Sequence, residues 1–284
     1  MFKGFSHPLL IASATLLLTP TTTLAAVITF SDSGADPASI QDTVDAFRAT
    51  LGNLNPNVVG SLGNGRREIN WDGVPDALSA PNNLPPDFFN INSPRGAVFS
   101  TPGSGVQVSA RAGIAPIEFD NINDTYSSIF QTFSPQRLFT ALDSNIVEVN
   151  FFVPGTNTPA VVSGFGSVFT DVDFDDSTKI EYFDVGNNLL FSSFVQPANN
   201  GLSFLGAFFN EGEGIAKVRI TSGNAPLSPN NFDGGNLDIV VMDDFLYGEP
   251  IEVAQVVPEP STTLGLFLGG VLCFVGFSRK HRRS

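Results

Sequence analysis

Asn145-Ile-Val-Glu-Val-Asn-Phe-Phe-Val153 is the stretch that decides the fold, because its side chains alternate with a period of two residues. Val147, Val149 and Phe151 lie on one parity, whereas the other parity carries Glu148. Successive side chains of a β-strand point to opposite faces of a sheet. The stretch therefore predicts a β-strand that buries one face and leaves the other, more polar face near solvent.

Short apolar runs of the same kind recur on both sides of this stretch, between turns rich in Gly, Pro, Asn and Asp. Few helical patterns separate them, so we expect antiparallel pairing and a mainly β fold, an antiparallel β-sandwich with a jelly-roll-like arrangement. The first two runs after residue 95 are expected to form one hairpin around Thr101-Pro-Gly-Ser104. The predicted strands are 27–31, 97–99, 105–109, 145–153, 160–174, 179–185, 189–195, 202–209, 215–221 and 237–247.

One amphipathic helix is predicted after the first strand. Asp36 is a good N-cap, Pro37 suits the first helical position, and Gly52 suits the end of the helix. The apolar side chains between them recur at i, i+4, i+7 and i+11, which places them on one face. They are Ile40, Val44, Phe47 and Leu51.

The N-terminal segment has the features of a secretory signal peptide. Lys3 supplies a positive start, residues 9–18 form an apolar run, and residues 23–26 offer small side chains for cleavage after Ala25 or Ala26. We therefore expect residues 1–26 to direct export through the Sec translocon and to be removed.

The C-terminal segment, residues 257–284, has three consecutive parts. Val257-Pro-Glu-Pro-Ser261 precedes an uncharged apolar run over 262–278, and a basic tail over 279–284 follows. As a helix the run would rise about 25 Å, enough to cross a thin bilayer. Four Lys/Arg residues in the tail predict that the C-terminus stays in the cytoplasm, so the body between the two ends, residues 27–256, lies outside.

This three-part pattern closely resembles the PEP-CTERM sorting signal of exported bacterial proteins, with Pro258, Glu259 and Pro260 as the signature. The resemblance implies processing by an exosortase and a role near extracellular polysaccharide. Val168-Phe-Thr-Asp-Val-Asp173 and Val241-Met-Asp-Asp-Phe-Leu-Tyr-Gly248 are similar to segments of the lectin-like jelly-roll bodies that many such proteins carry. That second resemblance implies a fold and says little about activity.

The composition of the body excludes several classes of function. The whole chain has 14 Lys+Arg and 28 Asp+Glu, and its two ends hold five of the basic residues and one acid, which leaves 9 and 27 in the body, a net charge of −18. Such a charge argues against nucleic acid as a partner. His7, His281 and Cys273 all lie in the two ends, so a body without His or Cys has no Ser-His-Asp or Cys-His machinery and no usual zinc ligands.

Trp71 and Asp72 form a candidate ligand-binding pair in a loop-rich region. A flat aromatic ring beside polar side chains can stack on a sugar and hydrogen-bond to its hydroxyl groups. The alternative is that Trp71, the only tryptophan, anchors a long loop onto the core.

Two clusters of aspartates are candidate ligands for Ca²⁺, a cation that prefers oxygen donors. Asp171 and Asp173 lie near the end of the long strand predicted over 160–174, on the parity that alternation assigns to solvent. They do not fit the EF-hand pattern. Two interpretations remain: a calcium site of a different kind, or the solvent-facing edge of a strand without a metal. Asp243 and Asp244 lie in the last strand, where the resemblance to carbohydrate modules favours a structural Ca²⁺. Alternation predicts that these two side chains point in opposite directions.

No acid pair identifies a catalytic site. Hydrolysis of glycosides needs two carboxyl groups at a set separation, which a sequence does not reveal. Glu68, Glu118, Glu148 and Glu181 are candidates without further support. We therefore expect a non-enzymatic surface or extracellular protein that acts in or on polysaccharide. The alternative is a carbohydrate-binding module or a carboxylate-based carbohydrate-active enzyme.

Overall fold

The computed structural model describes residues 27–114, 117–210, 212 and 214–253. The predicted signal peptide and the predicted sorting segment lie outside these residues. Within the described part the protein is mainly β, with one long helix, α1 (Pro37–Leu51), and one short helix, α2 (Phe88–Ile91). Neither of these helices has the length and apolar character needed to span a bilayer.

The β-structure is organised in two large sheets and one small ribbon. The strands are β1 (Val27–Gly34), β2 (Arg66–Ile69), β3 (Ala97–Ser100), β4 (Gly105–Val108), β5 (Phe139–Leu142), β6 (Ile146–Phe151), β7 (Ala160–Val161), β8 (Gly164–Val172), β9 (Lys179–Phe183), β10 (Leu189–Phe194), β11 (Ala198–Phe209), β12 (Lys217–Thr221), β13 (Val241–Gly248) and β14 (Ile251–Glu252).

The pairing of these strands is antiparallel throughout, which confirms the prediction. A seven-stranded sheet has the order β1-β11-β8-β13-β5-β4, and β2 adds to β13. A five-stranded sheet has the order β10-β9-β12-β6-β3, and β14 pairs with β7 in a separate ribbon.

The main hydrophobic core lies between the two large sheets. Phe165 and Leu205 of the seven-stranded sheet belong to the same buried cluster as Val149, Ile180 and Val218 of the five-stranded sheet. Strand β6 alternates between buried and half-buried positions, as its sequence predicts. The two sheets therefore pack face to face, and a jelly-roll-like connectivity stays a prediction.

Helix α1 covers the outer face of the seven-stranded sheet and has the predicted boundaries. The Asp36 side chain accepts a hydrogen bond from the backbone N–H of Ser39, and Gly52 ends the helix at φ +99°. Phe47 packs against Phe204, with ring centroids 5.5 Å apart. A Cβ on Gly166 of β8 would lie only 2.9 Å from the Phe47 ring, so glycine there lets the helix approach the sheet. Because α1 covers one face and the second sheet covers the other, β8 is buried at every position.

The predicted hairpin over 97–109 is wrong. Strand β3 pairs with β6 in the five-stranded sheet, whereas β4 pairs with β5 in the seven-stranded sheet. The connecting turn is held by the end of β5, because the backbone N–H of Ser104 donates to the carbonyl of Leu142. A turn that contains Pro and Gly can connect two strands of one hairpin or two strands of different sheets. The sequence of the turn therefore does not determine the partners of β3 and β4, which depend on how the sheets pack.

A buried ion pair fastens the long loop after α1 to the end of β13. Nε and Nη2 of Arg67 bind the two carboxylate oxygens of Glu249 at 2.6 and 2.7 Å, and both side chains are fully buried. The backbone N–H of Leu62 and the side-chain amide of Asn55 also donate to Glu249. This cluster, which the sequence did not reveal, links β2, β13 and the loop over residues 52–65.

We expect Glu249→Gln to destabilise the protein by about 3–5 kcal/mol, because it leaves the Arg67 charge buried without its partner. Urea unfolding of the full-length chain in mild detergent, followed by the fluorescence of Trp71, measures the change. The control is Asp45→Asn, which removes an exposed partner of Arg48 and should change stability by less than about 0.5 kcal/mol. Equal stability of the two variants would contradict the role of the buried pair.

Candidate metal centre

Three aspartates from distant parts of the chain meet at the C-terminal end of β8. Asp171 lies in β8, Asp173 follows the strand, and Asp233 lies in the loop before β13. One carboxylate oxygen from each side chain lies within 4.8 Å of the corresponding oxygens of the other two. This is the spacing at which three carboxylates can share one metal ion.

The backbone of β8 turns Asp171 away from the strand pattern. Its φ is +68°, in the left-handed region that Asp tolerates better than most residues. Opposite it, the β8–β11 register shifts between Ala198 and Leu202, and the backbone N–H of Asn200 donates to Asp171 Oδ1 at 2.7 Å. The prediction that alternation places Asp171 on a solvent-facing edge is therefore wrong, because its side chain is fully buried.

A fourth aspartate supports this cluster from outside. Asp238 accepts hydrogen bonds from the backbone N–H of Asp173 at 3.2 Å and from the Ser177 hydroxyl. Asp233 accepts from the backbone N–H of Ile239 at 3.0 Å. These bonds fix the segment Asp233-Gly-Gly-Asn-Leu-Asp238 against the end of β8, so the geometry of the cluster is set by backbone donors.

The cluster carries negative charge that is poorly compensated. Burial, with a smaller contribution from Asp233, Asp173 and Asp238, raises the pKa of Asp171 to about 7. Burial likewise raises the pKa of Asp238 to about 6 and moves the pKa values of Asp173 and Asp233 upward. Asp171 Oδ2 and Asp173 Oδ1 are buried without a hydrogen-bond partner. Unpaired buried carboxylate oxygens are costly, and a bound cation would remove that cost.

The donor set suits a hard cation. All the available ligands are carboxylate oxygens, which Ca²⁺ and Mg²⁺ prefer, whereas zinc sites usually contain His or Cys. The three ligands come from an irregular strand end and a loop, and Ca²⁺ accepts such irregular geometry more readily than Mg²⁺. A cation here would join the end of β8 to the loop before β13.

Asp243 and Asp244 form a separate cluster with protein donors. Asp243 accepts from the backbone N–H groups of Phe133 and Ser134, at 2.7 and 3.2 Å. The Ser134 hydroxyl lies 2.7 Å from Asp244 Oδ1 and 3.3 Å from Asp243 Oδ1. Burial, and then the charge of Asp244, raises the pKa of Asp243 well above its usual range.

The two carboxyl groups of this cluster share one hydroxyl, so the prediction that they point in opposite directions is wrong. The physical reason is a register shift between Met242 and Phe245 in the β8–β13 ladder, which interrupts the alternation of β13. Their bonds to protein donors make the final strand a weaker candidate for calcium than the group of Asp171, Asp173 and Asp233.

Trp71 is buried in the core. Its ring stacks on Phe139 with centroids 4.1 Å apart and an interplanar angle of 2°, and its Nε1–H donates to the carbonyl of Asp243 at 3.0 Å. No face of the ring is open to a sugar, so the structure favours the alternative that Trp71 anchors the loop. Asp72 is half-buried, and burial followed by the charge of Asp244 raises its pKa to about 6.

Three of the four glutamates considered as catalytic candidates are held in ion pairs. Glu68 forms ion pairs with Arg48 and Arg66. Glu148 and Glu181 pair with basic residues of the five-stranded sheet. Glu148 binds Arg219 at 2.6 Å and Glu181 binds Lys179 at 3.3 Å. Burial raises the pKa of Glu118, the fourth candidate, which stands apart from these pairs.

Sequence reasoning missed Asp233, which completes the metal cluster, and Asp238, which supports the cluster from outside. They lie about 60 positions from Asp173 along the chain, so no local spacing connects them. The available signal was the segment of acidic residues and glycines over 233–238, which is typical of a turn and can approach a strand end closely.

Comparison with known families supports the interpretation of the C-terminal segment. Residues 256–283 match the family described as PEP-CTERM protein-sorting motif. The chain thus carries a PEP-CTERM sorting motif, as its sequence predicts, and Pro258, Glu259 and Pro260 lie within the matched range. These residues are outside the part that the structure describes. No curated protein and no solved structure matches the chain.

Replacing Pro258, Glu259 and Pro260 with Ala should abolish exosortase processing and leave membrane insertion intact. The two prolines stiffen the backbone around Glu259, whereas we expect insertion to depend on the apolar run over 262–278. Immunoblotting of membrane and extracellular fractions in an exosortase-bearing host measures both steps. Unchanged processing of the triple variant would mean that the motif acts only as a spacer.

Proposed function

We propose that this chain is an exported, exosortase-sorted protein that acts without catalysis in or on extracellular polysaccharide. The observation that carries the proposal is the sorting motif matched over residues 256–283. Export begins with the signal peptide over 1–26, and the apolar run over 262–278 anchors the chain in the membrane until processing. The body then remains at the cell surface or outside the cell.

The composition and the ion pairs of the body support a non-enzymatic role. The exported body contains no His and no Cys, which removes the commonest nucleophile and base combinations. Glu68, Glu148 and Glu181 have basic partners, so none of the three is a free carboxylate.

The body binds a structural Ca²⁺ through Asp171, Asp173 and Asp233. The support is the convergence of their carboxylates, together with the unpartnered buried oxygens of Asp171 and Asp173. The ion stabilises the end of β8 and the loop over 222–240 and takes no part in a reaction.

Calcium should therefore raise the melting temperature of the full-length chain in mild detergent. When the free Ca²⁺ concentration is a hundred times the dissociation constant, binding adds about 2.7 kcal/mol to the free energy of unfolding. For a domain of this size that is a rise of several degrees. The melt is measured in EDTA, Ca²⁺, Mg²⁺ and NaCl. Mg²⁺ should act more weakly because it demands octahedral geometry, and NaCl at matched ionic strength separates binding from screening.

Two substitutions locate the effect. Asp233→Asn should remove the calcium-specific rise, whereas Asp175→Asn, at an exposed aspartate near the same strand end, should preserve it. Equal melting temperatures in EDTA and Ca²⁺ would contradict calcium binding. A rise that survives Asp233→Asn and disappears in Asp243→Asn would place the ion on the final strand.

A second candidate function, carbohydrate binding, is favoured by a groove of about 440 Å³ that is lined by many polar and some apolar side chains. The groove lies between α1, β2, the middle of β13 and the loops over 54–57 and 133–135. Amide side chains, guanidinium groups and carboxylates line it together with the half-buried ring of Phe133. Among the lining residues are Gln41, Arg48, Glu68, Asn70, Arg95 and Asp244.

The base of the groove is an ion network. Nε and Nη2 of Arg48 each lie 3.2 Å from a Glu68 oxygen, and Nη2 lies 3.5 Å from Asp244 Oδ2. Because Arg48 holds both carboxylates, neither is free to act as a nucleophile or a general base. The remaining amides of Gln41 and Asn70 are available to hydrogen-bond sugar hydroxyl groups. This arrangement supports binding without hydrolysis.

A glycan array probed with the full-length chain in mild detergent tests this second candidate. Isothermal titration with the best glycan should show that Asn70→Ala weakens binding about tenfold, the effect of losing roughly one good hydrogen bond. Asn230→Ala removes a similarly exposed amide outside the groove and should leave the affinity unchanged. Binding at this groove would be contradicted if the array shows no bound glycan or if both variants have the same effect. Release of a shortened glycan would contradict binding without hydrolysis.

A further inference from the structure

The exit point of the chain restricts where the body lies relative to the membrane. The described residues end at Val253, immediately after β14, and the apolar run of the sorting segment begins at residue 262. Nine residues reach at most about 30 Å when fully extended. While the chain is anchored, the end of the body that carries β14 is therefore held within that distance of the bilayer.

The loop over residues 52–65 is unusual for so acidic a body, because it contains no charged residue. It also presents apolar side chains to solvent: the exposed fractions are 45 % for Val58, 66 % for Val59 and 46 % for Leu62. Leu54 in the same loop and Ile251 in β14 are exposed as well. These five make up a large share of the twelve exposed large apolar side chains in the described residues, so the loop and Ile251 form an apolar patch, with the exposed Glu252 of β14 at its edge.

Direct contacts place this patch at the chain exit. The backbone N–H of Leu62 donates to Glu249, two residues before Ile251. The backbone N–H of Gly60 donates to the carbonyl of Pro154 at 2.8 Å. Pro154 and Pro250 both lie against Gly96. Pro154, which contacts the loop, is therefore close to Pro250, which precedes β14.

The opposite end of the body has a different character. Strand β8 runs about 27 Å from the side of β7 to the cluster of Asp171, Asp173 and Asp233. The far end therefore gathers several acids, whereas at the exit end the loop over residues 52–65 is uncharged and Glu252 of β14 is an exposed acid beside it. Anionic headgroups would repel the acidic surface and tolerate the uncharged one.

We propose that the loop over residues 52–65, together with Ile251, rests on the lipid surface of the membrane while the protein is anchored before processing. The inference depends on the membrane anchoring in the proposed function. Lipid fits this surface better than a protein partner does, because its exposed groups are small aliphatic side chains with Asn and Gly and offer no charge for pairing. The buried pair of Arg67 and Glu249 holds the loop in place beside the exit.

Lipid contact is measured with a fluorophore at Val59→Cys in a full-length chain whose native cysteine is replaced, Cys273→Ala. The labelled protein is inserted into vesicles of phosphatidylcholine with a minor fraction of phosphatidylglycerol, and spin-labelled lipid serves as the quencher. The matched control is Phe232→Cys, an exposed apolar position next to Asp233 at the far end, with 56 % exposure. Leu62→Cys is a second position in the loop, and Trp71 emission verifies folding of each variant.

We expect severalfold stronger quenching at Val59 and Leu62 than at Phe232. Vesicle flotation first establishes that the chain is anchored, and a chain that does not float contradicts the anchoring itself. Flotation with equal quenching at both ends overturns the lipid contact and leaves the anchoring standing. Absence of quenching in vesicles, with cross-linking of Val59→Cys to a membrane protein in host membranes, also overturns it and assigns the patch to a protein partner.

Discussion

The buried ion pair between Arg67 and Glu249 is the interaction on which the exit end of the body depends. Two charges are removed from water there, and each must be matched by the other and by neighbouring polar groups to be tolerated. Glu249 also accepts from Leu62 and Asn55, and Arg67 donates to the carbonyl groups of Pro56 and Pro94. One pair thus sets the position of a long loop with no regular secondary structure and of the segment that leads to the sorting motif.

Both faces of the seven-stranded sheet are buried, and this burial explains the two aspartate clusters in β8 and β13. Helix α1 packs on one face and the five-stranded sheet on the other, so an acidic residue in β8 or β13 has no solvent to face. At Asp171 the backbone of β8 has a positive φ, opposite a register shift in β11. At Asp243 and Asp244 the pairing of β13 with β8 shifts in register. These local irregularities gather carboxylates into two groups with different partners. One group is satisfied by protein donors, and the other retains unpartnered oxygens that suit a cation.

Much of the fold could be predicted from local patterns. The alternation of 146–151 and the caps of α1 confirm predictions that depend only on neighbours along the chain. The hairpin over 97–109 and the orientation of Asp243 and Asp244 were wrong because each depends on which strand lies alongside. The partners of Asp233 and Asp238, and the pair of Arg67 and Glu249, could not be predicted, because the residues that meet lie far apart in sequence. Trp71 illustrates the limit well: its sequence context suits a sugar platform and a core anchor equally, and only its burial separates them.

The sequence by itself determined that the chain carries a sorting motif, that its body is mainly β and that residues 27–256 contain no His or Cys. These are properties of contiguous segments and of composition: a sorting motif, a two-residue period, and a body without His or Cys. Tertiary structure decided which acids meet, which charges are buried and that the uncharged loop over residues 52–65 is exposed beside the chain exit. The physical reason is that local pattern acts through the backbone of neighbouring residues, whereas burial and electrostatic coupling depend on distances that exist only after the sheets have packed.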